Sequence, residues 1–314
     1  MTKKTEIKNQ KVHLRTLMPL IGFFVLVAIF SILTGGRIIN PRNMKLMLSQ
    51  VYVLMIASTG VWMIMTVGGL DFSQGAILGL SSIVFCEFSK YNIFLGIVLA
   101  IIAGALMGAV NGLFHVKFKI ASFIVTICTM YLFRGLCKFI TTNGPIPASI
   151  EVLAFNETWF KVLMTLIVLI IAYFFIRFTR FGYDLKAIGA GEIAARFSGC
   201  KPNLIKFSVF CIAGAITGFA SFINVIKVGS ITGTAGSMLE IQILIALVLG
   251  GMPINGGSKA RFSNIVIGTL TYSVLEKSLP MVFSVSATQQ LVKGIIFLIV
   301  VALTIDHESL KVIK

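Results

Sequence analysis

The stretch IFLGIVLAIIAGALMGAVNGLF, residues 93–114, decides the fold class of this chain, because it runs for 22 residues without a charged side chain. About 20 predominantly apolar residues are enough for a helix to cross the hydrocarbon core of a bilayer. Inside a bilayer each segment must satisfy its own backbone hydrogen bonds, and a continuous apolar run favours a helix over an alternating barrel strand. The stretch is therefore predicted to be a transmembrane helix.

Similar apolar runs recur along the whole chain of 314 residues, of which 57% are hydrophobic and 12% charged. Soluble domains carry about 25% charged residues, so the composition excludes an ordinary soluble fold. We predict an all-α fold, a polytopic transmembrane helical bundle of about ten spans that forms a single domain over residues 17–305. The predicted spans cover residues 17–34, 46–67, 73–88, 93–114, 120–140, 160–177, 207–226, 238–251, 263–280 and 289–305.

The distribution of lysine and arginine predicts the orientation of the bundle. With ten spans and a cytoplasmic N-terminus, 17 basic residues fall in the inner segments and eight in the outer ones. This bias follows the positive-inside rule and predicts two cytoplasmic tails, residues 1–16 and 306–314. The net charge of +16 is therefore explained by the lipid bilayer as partner, and no nucleic acid is expected. Residues 34–37 offer no signal-peptide cleavage site, so the first span is predicted to be retained.

The sequence contains no pattern that predicts catalysis or metal binding. Its three histidines lack partners at metal-ligand spacing, and its five cysteines form no C-x-x-C pair. The G-x-x-x-x-G-K-[ST] loop that cradles nucleotide phosphates is also missing. We therefore predict that this chain is not an enzyme, holds no metal or cofactor, and does not hydrolyse ATP alone.

Glycines are regularly spaced within two predicted spans. Gly104, Gly108 and Gly112 follow one another at four-residue intervals, and Gly214 and Gly218 repeat this spacing. The spacing places small residues on one helix face, where two helices can approach closely. We interpret these glycines as packing contacts between membrane helices.

Two glycine-rich turns echo each other at the same predicted membrane face. They are VGGLDFSQG at residues 67–75 and LGGMPINGG at residues 249–257. Paired breaks of this kind mark duplicated halves around a transport path in some carriers, although so short a match also arises by chance.

The predicted cytoplasmic loop 178–206 is the longest connection and is too polar to span a membrane. Residues 191–198 within it predict a short helix, with Glu192 in the first turn and Gly199 and Pro202 as stop signals. Two interpretations stay open for this helix: a docking element for a cytoplasmic partner, and a linker that lies on the lipid surface.

Charged residues within or beside spans are candidate functional residues, because burying a charge in lipid is costly. Asp71 and Ser73 stand in the turn before the third span, where each is also a good helix cap. Arg134 and Lys293 lie deeper in the fifth and tenth spans. They either line a polar path or pair with helix carbonyls.

Hydroxyl side chains cluster in the fifth span, where Thr126 and Thr129 share one face. Threonine hydroxyls often bond back to their own helix, so both a structural role and a hydroxyl-lined path for a neutral solute stay open. Glu87 and Glu240 are predicted to lie near the outer face, open to solvent.

Several of these motifs together resemble those of one family. They are VGGLDFSQG (67–75), NG (111–112), KIASFIVT (119–126), FRG (133–135), EIAARFSG (192–199) and the Gln and Lys-Gly pairs within 289–294. Over roughly residues 45–305 the sequence resembles the membrane-spanning permease subunits of bacterial ATP-binding-cassette (ABC) importers, of the ribose, xylose and galactose type.

The resemblance implies a multi-pass permease of the bacterial plasma (inner) membrane that imports a monosaccharide. It implies three kinds of protein partner: a cytosolic ATPase subunit that binds ATP and Mg²⁺, an extracytoplasmic solute-binding protein, and a second permease copy or paralogue. It also implies that loop 178–206 carries the coupling helix of the ATPase. The implied coupling residues are Gly191, Glu192, Ala194, Ala195, Arg196, Ser198 and Gly199.

With Asn111 taken from the same motifs, seven residues are candidates for the solute path or its gate. They are Asp71, Ser73, Asn111, Thr126, Thr129, Arg134 and Lys293. The resemblance extends to permeases for nucleosides and for a furanosyl signalling molecule, so the solute stays open. The alternative from another class is a self-sufficient ion-coupled carrier, which would not need loop 178–206 for transport. A membrane-embedded enzyme would need a catalytic cluster, and the sequence has none.

Overall fold

The computed structural model describes residues 2–253, 256–257 and 259–304. The described chain is almost entirely helical, and the predicted tail 306–314 lies outside the described residues. The first six helices are α1 (Thr2–Leu33), α2 (Pro41–Thr66), α3 (Gln74–Ser89), α4 (Ile93–Lys117), α5 (Ser122–Ile140) and α6 (Thr158–Phe178).

Six more helices follow in the described part of the chain. They are α7 (Arg180–Ala190), α8 (Glu192–Phe197), α9 (Pro202–Val228), α10 (Leu239–Leu249), α11 (Ser263–Val282) and α12 (Ser286–Thr304). Each of the ten predicted spans coincides with one helix, and α8 confirms the short helix predicted within loop 178–206. Helix α7 was not predicted, because its residues are polar and lack a long apolar run.

Five helices among the described residues are long and apolar enough to cross a membrane. They are α2, α4, α5, α6 and α9. Shorter apolar helices cover Leu17–Leu33, Gln74–Ser89, Leu239–Leu249 and Ser286–Ala302. The chain is thus a multi-pass helical membrane protein, as predicted.

The helices begin and end where the sequence provides the appropriate groups. The Asn92 side chain accepts hydrogen bonds from the N–H groups of Phe94 and Leu95, which caps the start of α4. Pro202 occupies the first turn of α9, where no hydrogen bond from its nitrogen is needed. Gly229 ends the same helix in the left-handed conformation, with φ of 73°.

The chain forms two compact units. One unit contains the described residues among 1–48, 245–253 and 261–314, and within it α1 packs against α11. The other contains residues 49–244 and the described residues among 254–260. In this larger unit α3, α4 and α9 pack against one another. The single domain predicted for residues 17–305 stays a prediction.

Helices α4 and α9 cross at backbone contact distance, which confirms the packing role predicted for the spaced glycines. A Cβ atom on Gly104 would lie 2.2 Å from the carbonyl oxygen of Gly214, and one on Gly214 would lie 2.1 Å from that of Gly104. A Cβ on Gly108 would meet the Phe210 carbonyl at 2.1 Å. The crossing is therefore possible only where side chains are absent.

Connections at each end of the larger unit contact one another. The two-residue strands β1 (Ile146–Pro147) and β2 (Ser230–Ile231) pair antiparallel, and the Ser149 N–H donates to the Ser89 hydroxyl at 3.1 Å. At the other end, the Gly257 N–H donates to the Thr66 carbonyl at 3.3 Å. A Cβ on Gly256 would lie 3.0 Å from the Gly68 nitrogen, so Gly256 of the second glycine-rich turn touches the first one.

Candidate functional site

The turn between α2 and α3 is built around the buried carboxylate of Asp71. Its Oδ1 accepts hydrogen bonds from the Ser73 backbone N–H at 2.7 Å and from the Ser73 hydroxyl at 2.6 Å. Its Oδ2 accepts from the Gln74 side-chain amide at 2.7 Å. Asp71 therefore closes the turn in front of α3, which fits the structural role that the sequence left open.

This carboxylate is the centre of a buried polar network that joins α3, α4, α5 and α9. The Asn111 amide donates to the Ser73 hydroxyl at 2.8 Å, and the Thr129 hydroxyl donates to the Asn111 side-chain oxygen at 2.6 Å. The Thr217 hydroxyl donates to the Gln74 side-chain oxygen at 2.5 Å. Every member of the network is at most 7% exposed. Each hydrogen-bonding group is thereby paired away from water, as a low-dielectric interior requires.

Two hydroxyls of α5 satisfy the backbone of the same turn. The Leu70 N–H donates to the Ser122 hydroxyl at 3.0 Å, and the Phe72 N–H donates to the Thr126 hydroxyl at 3.1 Å. Backbone groups outside helices need such partners when they are buried. The structure thus brings five of the seven candidate path residues together, but in a closed network whose contacts favour a structural role.

We expect Asp71→Asn to destabilise the fold by about 2 kcal/mol, the usual value for a hydrogen bond to a charged group. The new side-chain NH₂ would face a hydrogen-bond donor in both of its orientations, Ser73 in one and Gln74 in the other. Gln74 cannot simply turn over, because its oxygen already accepts from Thr217. Thermal unfolding in mild detergent should show a melting temperature several degrees lower.

The matched control is Glu87→Gln, which makes the same acid-to-amide change in an exposed ion pair, with Lys90 at 2.9 Å. Exposed pairs contribute about 0–1 kcal/mol, so its melting temperature should stay close to that of the unchanged protein. Equal melting temperatures for the two variants would contradict a structural role for the network.

Arg134 joins α5 to the segment that precedes α10. Its guanidinium donates to the carbonyl oxygens of Ala235 at 2.9 Å and Gly236 at 3.3 Å, and to the Ser237 hydroxyl at 3.0 Å. It also lies 3.5 Å from the Glu240 carboxylate. Arg134 thus pairs with a carboxylate and with carbonyls of its own chain, although these carbonyls belong to a non-helical segment rather than to a helix.

Glu240 departs from its prediction, because it is 6% exposed rather than open to solvent. It stands in the first turn of α10 and packs over Gly75, where a Cβ atom would lie 2.0 Å from the Glu240 Oε2. A Cβ on Gly75 would also lie 2.3 Å from the Gly236 carbonyl oxygen. The N-terminal ends of α3 and α10 therefore meet through glycine backbone, with a carboxylate buried at the junction.

Lys293 belongs to the smaller unit and has its own partners. Its ammonium lies 2.5 Å from the Glu276 carboxylate of α11, which also accepts from the Tyr272 hydroxyl at 3.0 Å. The pair connects α12 to α11. An ion pair with a carboxylate on a neighbouring helix lowers the cost of placing a lysine within an apolar span.

The segment 191–199, which we call the coupling segment, is a short helix with defined ends. The Cys200 N–H donates to the Ala195 carbonyl at 3.1 Å, and the Gly199 N–H donates to the Arg196 carbonyl at 3.1 Å. Together with the left-handed Gly199 (φ 84°) these two bonds form a Schellman C-cap, so Gly199 ends the helix as predicted.

Charged groups fix the coupling segment to α9. The Lys206 ammonium donates to the Glu192 carboxylate at 2.7 Å, and Arg196 lies 3.6 Å from the same carboxylate. The hydrogen bond from Lys206 lowers the pKa of the Glu192 carboxyl below its ordinary value, so Glu192 is charged at neutral pH.

One of the implied coupling residues, Ala195, is buried against the protein rather than open to a partner. Ala195 is 3% exposed and faces the protein itself, since the Glu192–Lys206 pair turns that side of α8 toward α9. Ile193 and Phe197, one helical turn apart, are 75% and 91% exposed. Arg196 and Ala194 are also exposed, as a contact with a partner would require.

Sequence reasoning missed Gln74, Thr217, Lys206 and the exposed pair Ile193 and Phe197. The pair did leave a signal, because two large apolar residues at i and i+4 in a polar loop need a partner. Gln74 and Thr217 left none, since their contact depends on two helices that are 143 residues apart in sequence.

Comparison with known proteins confirms the predicted resemblance. The sequence profile of the family described as "Branched-chain amino acid transport system / permease component" matches residues 43–301. The ribose import permease protein of Bacillus subtilis (strain 168) is 33% identical over 96% of this chain and 98% of that protein. The corresponding protein of Escherichia coli (strain K12) is 30% identical over 92% and 93%.

Other relatives are named as permeases for other sugars. The fructose import permease protein of Rhizobium meliloti is 26% identical over 94% of this chain and 86% of that protein. No solved structure matches the chain.

Proposed function

This chain belongs to the family of permease components of the branched-chain amino acid transport type, and from that premise we propose that it is the transmembrane permease subunit of an ABC importer for a monosaccharide. Relatives named as ribose, arabinose and fructose permeases support a pentose or hexose as the solute. Members of this family are permease components rather than enzymes, and the chain moves solute by alternating access without transforming it.

One observation carries the link to an ATPase. The coupling segment is held to α9 by Lys206 and capped by Gly199, yet it presents Ile193 and Phe197 to solvent. Exposing two large apolar side chains is unfavourable unless a partner covers them. A rigid short helix with an apolar anchor pair is suited to fill a groove on a cytosolic protein.

We propose the predicted topology of ten spans with both termini in the cytoplasm of a plasma-membrane protein. The contacts between connections support the relative directions of the spans, and the bias of lysine and arginine supports the cytoplasmic side. Strands β1 and β2 both lie in predicted outer connections. The Gly257–Thr66 bond joins a predicted inner connection to the inner end of the second predicted span. A wrongly oriented span would place paired segments on opposite faces of the membrane.

The proposed complex supplies what this chain lacks. A cytosolic ATPase subunit binds ATP and Mg²⁺, an extracytoplasmic binding protein delivers the sugar, and a second permease copy or paralogue completes the path. The candidates Asp71, Ser73, Asn111, Thr126 and Thr129 then hold the helices around the path rather than line it. Lys293, paired with Glu276, is proposed to anchor α12 in the same way.

The test has two parts. The tagged chain is co-expressed with the proposed partner subunits and purified in mild detergent. Uptake of labelled ribose, arabinose and fructose into vesicles is then measured. We expect a cytosolic ATPase at equal stoichiometry and uptake of one sugar that stops when ATP is withdrawn. If the vesicles took up a labelled nucleoside and none of the three sugars, the solute of the proposed function would be a nucleoside instead of a monosaccharide. Uptake driven by an ion gradient with no ATPase present would establish the ion-coupled carrier and refute the proposal.

A further inference from the structure

The segment 229–238, which contains β2 and precedes α10, lies alongside α3 without being helical. At its start, Ser230 and Ile231 pair with β1, next to the bond between Ser149 and Ser89 at the end of α3. Farther along, a Cβ on Gly79 would lie 2.8 Å from the Ala235 carbonyl, and one on Gly75 would lie 2.3 Å from that of Gly236. The segment therefore follows α3 from its last residue back to its first turn.

The length of α3 gives the depth that the segment reaches. Fourteen residues separate Ser89 from Gly75, which corresponds to about 21 Å of helix. The hydrocarbon core is about 30 Å thick. If Ser89 lies near the outer boundary, as the proposed topology has it, Gly236 lies well inside the membrane. The flanking helices α5 and α9 are both long enough to span it.

Several side chains of the segment are not covered by the part of the chain that the structure describes. Thr232 and Thr234 follow β2 near the outer end of the segment, and Ser237 and Met238 lie in its deep part beside the start of α3. All four residues are exposed, and Met238 has a φ of 67°, which is uncommon for a residue with a side chain. Non-helical backbone at membrane depth is not stable against lipid. It is tolerated only where protein covers it or where it lines a water-filled cavity.

The exposed side chains indicate which of these applies. Thr232 and Thr234 share a hydrogen bond at 3.0 Å, and Ser237 accepts from Arg134 at 3.0 Å, so each hydroxyl is oriented but keeps capacity for a further bond. Three hydroxyls on one short segment suit water and a polyhydroxylated, uncharged solute. They would be poor contacts for lipid chains.

Resting on the proposed function, we infer that Thr232, Thr234 and Ser237 line the water-filled solute path and offer their hydroxyls to the passing sugar. Arg134 is the positioning residue of this wall, because it holds the carbonyls of Ala235 and Gly236 and the hydroxyl of Ser237. The N-terminal ends of α3 and α10 meet behind the wall and keep the backbone in place.

Cysteine labelling in membrane vesicles tests whether this wall is wet. The parent protein carries alanine in place of its more accessible cysteines, Cys128, Cys200 and Cys211. A charged, membrane-impermeant methanethiosulfonate is then added to vesicles with each of the variants Thr232→Cys, Thr234→Cys and Ser237→Cys. The control is Leu106→Cys in the middle of α4, which is 62% exposed but apolar in its surroundings. A thiol ionises in water and not in lipid, so we expect the three wall positions to react at least about tenfold faster than the control. Equal or slower reaction at all three positions would overturn the inference.

Loss of single hydroxyls tests whether the wall contacts the sugar. Thr232→Val, Thr234→Val and Ser237→Ala should each reduce uptake of the transported sugar about three- to tenfold, the value of one hydrogen bond. Thr142→Val, which removes an exposed hydroxyl at the end of α5, should leave uptake unchanged. Unchanged uptake in all three wall variants would also overturn the inference.

The two proposals fail in different ways. Labelling requires neither sugar nor ATPase, so fast labelling in a protein that imports none of the tested sugars would refute the proposed function and leave a water-filled path. A parent that imports sugar on ATP, with the wall positions unreactive, would refute the inference alone.

Discussion

Phe197→Asp is expected to lower the amount of ATPase that co-purifies with the chain by at least about 100-fold, and to stop ATP-driven sugar uptake. Phe197 is 91% exposed, so the chain itself should fold normally around the new residue. In the complex, the same position would bury an unpaired carboxylate in an apolar contact, which costs about 3–5 kcal/mol. That energy corresponds to a change of roughly two to four orders of magnitude in the dissociation constant.

The matched control is Ile150→Asp. Ile150 is 84% exposed and lies in a predicted outer connection, so the same kind of change there should leave the ATPase bound. Melting temperatures of both variants should match that of the unchanged chain. If Phe197→Asp still co-purified with the full amount of ATPase and imported sugar normally, the coupling segment would not be the site where the ATPase docks.

Substitutions at two other residues of the coupling segment are less specific tests of docking. Ala195→Glu would place a carboxylate at a residue that is 3% exposed, so it would disturb packing against α9 before it disturbed a partner. Glu192→Lys would bring a cation beside Lys206 and Arg196 and release the coupling segment from α9. Loss of transport in either variant would not separate docking from folding.

The sequence predicts the helices of this protein well, for a physical reason. A continuous apolar run must form its own backbone hydrogen bonds in a bilayer, so helix position follows from local composition alone. The run at residues 93–114 is the core of α4, and the coupling helix was located by its end signals, Gly199 and Pro202. These features depend on neighbours in sequence.

The site is harder to predict, because the role of a buried polar residue depends on what reaches it in space. Asp71 and Thr126 carry the same side chains whether they line a path or close a turn, and only their contacts with Ser73 and Phe72 distinguish the two roles. The hydroxyls of Thr232, Thr234 and Ser237 gave no signal either, because their role depends on the course of a short non-helical segment beside α3.

Substitution at the α4–α9 crossing should have the other large effect. Gly104→Ala is expected to destabilise the protein and Gly104→Leu to prevent its folding, with a cost on the order of 3 kcal/mol or more. A new Cβ would lie 2.2 Å from the Gly214 carbonyl oxygen and 3.1 Å from the Gly218 Cα. Both are backbone atoms, which cannot rotate aside, so the helices must separate along the whole crossing.

Gly135 on α5 provides the matched control, because nothing lies within 4 Å of a Cβ built there. Alanine favours a helix over glycine by about 1 kcal/mol, so Gly135→Ala should be neutral or raise the melting temperature, while Gly104→Ala lowers it. Size-exclusion chromatography of detergent extracts would show a single sharp peak for Gly135→Leu and aggregated or absent protein for Gly104→Leu. Since the two glycines have the same intrinsic preference, opposite outcomes can come only from what each one touches. If both leucine variants eluted as sharp peaks with equal melting temperatures, the close crossing of α4 and α9 would not hold the bundle together.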